Sequence, residues 1–81
     1  MQGGLLLSAD APHWWAHGTL DGIAMPVAFG HAITQARCMA AADTAAGRLL
    51  APGGTEGLHP PKARAVAEAV ARWAGREQGD G

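Results

Sequence analysis

The stretch Trp14-Trp15-Ala16-His17-Gly18-Thr19-Leu20-Asp21-Gly22-Ile23-Ala24-Met25-Pro26-Val27-Ala28-Phe29 decides the fold. Asp-Gly between two apolar runs is a strong short-range hairpin signal, because both central turn positions need a positive φ. Pairing the arms about that turn sets Leu20 against Ile23, Gly18 against Met25, Ala16 against Val27 and Trp14 against Phe29. Side chains alternate sides along a strand, so these residues share one face. The other face carries His13, Trp15, His17 and Thr19 opposite Gly30, Ala28, Pro26 and Ala24. The first face is a core and the second is not. Proline cannot donate to a strand ladder, so Pro26 places the second arm at an edge or a bulge.

Working outward, Leu5 to Ala9 is a short apolar run between turn-prone Gly3-Gly4 and Asp10-Ala11-Pro12, and it reads as a first strand. After Gly30 the period changes. Ile33, Ala36, Ala40, Ala41 and Thr44 recur at helical spacing, with Ala32, Met39 and Ala46 widening the stripe. This pattern predicts a helix over about 31–50. Segment 51–57 is rich in Gly and Pro and reads as a connector. Pro60-Pro61 suits a helix start, where a missing N–H costs nothing. Ala63, Val66, Ala67, Val70, Trp73 and Ala74 then form a stripe, with Arg64, Glu68 and Arg72 opposite. That predicts a second helix over about 61–75, with Gly75 as its stop. The expectation is an α+β fold. A small antiparallel sheet, made of a short N-terminal strand plus a β-hairpin about Asp21-Gly22, is covered on one face by two helices. Residues 1–76 form a single small domain and 77–81 a disordered tail.

Composition bounds the rest. Of 81 residues, 48% are hydrophobic, but 19 are Ala, and Leu, Ile, Val and Phe together number only 13. The core is therefore lean, and burial of Trp14, Phe29 and Trp73 should supply much of it. Lean cores are often completed by a partner or a second copy, so association, as a homodimer for instance, is an expectation. A net charge of −1 argues against a general polyanion binder. A lone Cys38 excludes an internal disulfide. No positive charge precedes the first apolar residues, and no run reaches membrane-spanning length. These features point to a reduced, cytoplasmic protein with no membrane partner.

The chemistry-bearing residues form few patterns. His13 and His17 have a spacing that puts two imidazoles on one face of a helix for zinc. In a strand, however, residues four apart are separated by roughly 13 Å, too far to share one ion. The hairpin reading therefore assigns no metal, and a His-based metal-binding protein, which requires residues 11–17 to be helical, is the least favoured function. Cys38 sits between Arg37 and Met39 and reads as a small buried residue. No nucleophile elbow or phosphate loop is present, and the acidic residues are scattered without a pair. The chain is expected to be no enzyme and to need no cofactor. Trp15, between His13 and His17 on the polar hairpin face, reads either as a residue covered by the first strand or as a contact anchor of the kind enriched at binding hot spots.

Two functions follow as expectations. The first is a non-enzymatic protein-interaction or accessory module that uses His13, Trp15 and His17 to bind another protein or itself. The second is nucleic-acid-linked regulation. A hairpin followed by an Ala-rich helix, from Trp14 to Leu50, resembles the small sheet-and-helix fold of HicB-type antitoxins. The resemblance covers under half the chain and rests on pattern, so it carries over no residue roles. It implies that the basic last helix, with Lys62, Arg64, Arg72 and Arg76, approaches phosphates.

Overall fold

Asp21 and Gly22 hold φ of 53° and 83°, the left-handed pair that a two-residue hairpin turn demands. The computed structural model, which describes residues 1–79, builds the rest of the fold around that corner. The elements are β1 (Leu6–Asp10), β2 (His13–Leu20), β3 (Ile23–His31), α1 (Gln35–Leu50) and α2 (Pro60–Gly79). The sheet is an antiparallel meander in the order β1-β2-β3, which leaves β1 and β3 as edges. Both helices lie on the same side of it. α1 rests mainly on β1 and β2, α2 on β2 and β3, and each packs on the sheet rather than on the other helix.

The hairpin register holds from Leu20–Ile23 to His17–Pro26 and then slips by one residue. Beyond the slip Ala16 pairs with Ala28, Trp15 with Phe29, Trp14 with Gly30 and His13 with His31. Val27 is the extra residue of a β-bulge, opposing Ala16 together with Ala28. Unbroken alternation predicts Ala16–Val27 and Trp14–Phe29 instead. The bulge sits beside Pro26, the residue unable to donate to the ladder. Its effect is to turn Phe29 out of the core: Phe29 is 65% exposed, whereas Val27 is 3% exposed. Trp14 lies across Gly30, where any Cβ would meet the indole at 2.7 Å.

The core is small in every sense. Leu5, Ala16, Val27, Ala46, Ala65, Val66 and Ala69 are buried, flanked by half-buried Leu7, Leu20, Met25, Leu49 and Val70. A Cβ on Gly18 would stand 2.5 Å from the Ala65 carbonyl oxygen, and one on Gly4 would run into the Ala69 carbonyl. At Gly18 the α2 backbone lies directly against sheet backbone, and at Gly4 against the turn that leads into β1. Phe29 and Trp73, the latter 37% exposed, contribute less to this core than their size suggests.

Helix faces and ends also differ from the sequence pattern. α1 begins at Gln35, not near residue 31, because Thr34 is extended and caps the helix by accepting from the Arg37 N–H at 3.2 Å. Ile33, outside the helix, is 82% exposed. α1 buries Cys38, Ala42 and Ala46, and α2 buries Ala65, Val66 and Ala69. With Ala at six positions of each helix, several stripes fit the helical period equally well. α2 passes through Gly75 to Gly79, so it includes part of the expected tail; residues 80 and 81 lie outside the described residues.

One side chain from each helix ties down each sheet turn. Gln35 accepts from the Ala11 N–H at 2.9 Å and donates to the Ala9 carbonyl at 2.8 Å, holding the β1–β2 turn. Glu68 accepts from the Asp21 and Gly22 amides at 3.1 and 3.2 Å, holding the β2–β3 turn, and pairs with Arg72 at 3.4 Å. The Gly22 amide foremost, then that of Asp21 and the Arg72 guanidinium, keep the Glu68 carboxyl below its ordinary range despite some desolvation.

Two outcomes test this packing. Gly18→Ala should destabilise the fold by about 1–3 kcal/mol through the clash with Ala65. Gly75→Ala, with no atom within 4 Å of the added carbon, should stabilise it by about 0.4–1 kcal/mol. Urea denaturation that ranks these two equally would contradict the backbone contact. Glu68 is held below its unfolded value, so its contribution is complete above the ordinary glutamate range and fades as pH falls through its lowered folded value. Thermal midpoints measured down through the acid range should therefore fall less steeply for Glu68→Gln than for the wild type.

Candidate protein-interaction face

The helices cover one side of the sheet, and the bulge decides which residues occupy the other. Strand pairing arranges them in three cross-strand rows. Asp10, His13 and His31 form the first row, Ser8, Trp15 and Phe29 the second, and Leu6, His17 and Pro26 the third. Among the described residues no helix lies over these rows. His13, His31 and Phe29 are exposed, Trp15 and His17 half-buried, and Leu6 is 47% exposed.

The residues predicted for binding, His13, Trp15 and His17, therefore share one uncovered surface. The structure adds neighbours that unbroken alternation misplaced. His31 comes alongside His13, with ring centroids 4.7 Å apart and ring planes at 59°. His13 also lies 6.0 Å from Trp15, and Phe29 flanks Trp15 across the strands. The sequence signals this change through Pro26, which cannot donate and marks where the ladder can break. His13 and His17 lie four residues apart along extended β2 and do not converge.

The other candidate residues are dispersed. The Lys62 amino group stands 5.7 Å from the Phe29 ring centre, a cation–π contact at the margin of the open face. Arg72 pairs with Glu68, while Arg64 and Arg76 are exposed. The Cys38 thiol is fully buried and donates to the Ala32 carbonyl at 3.5 Å, a setting suited to packing rather than reactivity. A shallow depression of about 360 Å³ at the hairpin tip is lined by Leu20, Asp21, Ile23, Ala24 and Met25. It lacks any convergence of polar side chains. Among the described residues no helix is long and apolar enough to cross a membrane.

The bulged register makes a direct prediction. In dilute, monomeric protein Phe29→Ser should change unfolding free energy by no more than about 0.5 kcal/mol, as for an exposed position. Val27→Ala should cost about 1–3 kcal/mol. The uninterrupted register instead places both residues in the core and requires a large loss at each.

No protein-family model, characterised protein or solved structure matches this chain.

Proposed function

We propose that this chain is a non-enzymatic protein-interaction module whose uncovered sheet face docks a second copy of itself. The observation that supports this most is the Trp15–Phe29 row, with Phe29 65% exposed and Trp15 half-buried, on a sheet whose other side carries both helices. A sheet face with large apolar side chains gains from burial against another surface. Trp at the centre of such a face is the residue type that most often dominates binding energy. The three rows contain no Lys or Arg, and Asp10 is their one carboxylate. Two copies can therefore approach about a two-fold axis with little repulsion. In the nucleic-acid alternative, two of the four basic groups are already engaged within the chain, Lys62 over Phe29 and Arg72 with Glu68.

Sedimentation across a wide concentration range tests the proposal. The wild type should associate, and Phe29→Glu should shift it to monomer while leaving its circular dichroism unchanged. Ile33→Glu, at a more exposed site outside the sheet, should leave association intact. A wild type that stays monomeric at its highest soluble concentration would sink the reading.

A further inference from the structure

The pair His13 and His31 has a use that docking alone does not require. These two imidazoles stand on adjacent strands at directly opposed positions. Their spacing is therefore set by the strand ladder and not by flexible loops. The rings are tilted by 59°, so they are not stacked face to face, and their centroids are 4.7 Å apart. With zinc–nitrogen bonds of about 2.0–2.1 Å, two imidazoles on one tetrahedral ion have centroids roughly 5 Å apart. Both residues are exposed, so an ion can reach them from solvent. Asp10 ends the same row on β1 and contributes a negative charge to that end of the face.

We propose that His13 and His31 form a two-histidine chelate for a divalent transition-metal ion of the kind that favours imidazole, such as Zn2+. Among the described residues no third His, Cys, Asp or Glu joins the pair in a metal-holding group. Water fills the remaining positions when the chain is alone, leaving places open to a ligand from another molecule. Self-association is not needed for this site, because one chain supplies both nitrogens. The pair is also distinct from the His13–His17 spacing visible in the sequence, which the extended strand holds apart.

Calorimetric titration of dilute protein carrying no histidine tag, with Zn2+ alone at neutral pH, tests the site. The wild type should bind a single ion per chain. His13→Ala and His31→Ala should each weaken binding by at least about tenfold, since even losses beyond the direct ligands cost 10–100-fold. His17→Ala, on the same face but in the far row, should stay within about twofold of the wild type. Circular dichroism should confirm that all three variants remain folded, and His31→Gln should repeat the loss with less change in shape. Absence of Zn2+ binding would overturn the proposal. Binding that survives His31→Ala, or that falls as far in His17→Ala, would overturn it too, as would equal binding of Ca2+, which prefers oxygen ligands.

Discussion

The fold depends on how closely α2 can approach the sheet. Gly18 opposite Ala65 and Gly4 opposite Ala69 remove the side chains that would hold the two backbones apart. At that distance there is room for Ala, Val and one Leu, and the buried set consists largely of these residues. Larger groups are pushed to the margins, which is why Trp73 lies partly exposed. Dispersion contacts at short range replace the bulk that a richer core would bury. The same closeness places the Glu68 carboxylate within reach of the hairpin amides, so packing and turn stabilisation share one cause.

Much of this architecture is legible in the amino-acid order, and the exceptions have physical causes. Asp21-Gly22 defines a corner that few other dipeptides could occupy, and the first paired residues follow from it. The break at Val27 is harder to read, because strict alternation continues smoothly on paper through a bulge. Pro26 marks the neighbourhood but not the residue that will be doubled. Helix faces are illegible for a different reason. Alanine satisfies both buried and exposed positions, so buried Cys38 and Ala42 are not distinguishable by pattern from Ala36 and Ala40, and only Ala46 of the buried set falls in the stripe the pattern suggests. The start of α1 was readable in principle: Thr34 followed by Gln-Ala-Arg is a capping signal, masked by the apolar Ile33 before it.

The candidate face shows the same division. His13, Trp15 and His17 lie on a strand segment that needs only alternation, and the structure keeps them together. Phe29 and His31 lie beyond the bulge, where a shift by one residue exchanges inside for outside. Their arrival beside Trp15 and His13 turns a modest polar strip into a mixed aromatic and imidazole surface. One inserted residue in an edge strand thus alters the chemistry of the whole face, a common consequence of bulges.

Each turn of the meander is satisfied by a group encoded well downstream: Gln35 for Ala11, and Glu68 for Asp21 and Gly22. During synthesis the strands are made first, yet those amides face water until the later helices emerge. Closing the 46- and 47-residue separations to Glu68 is an entropic cost borne before the ribbon is secured. The inner face of the nascent sheet, with Ala16 and Val27, consequently stays open to water until the two helices emerge to cover it.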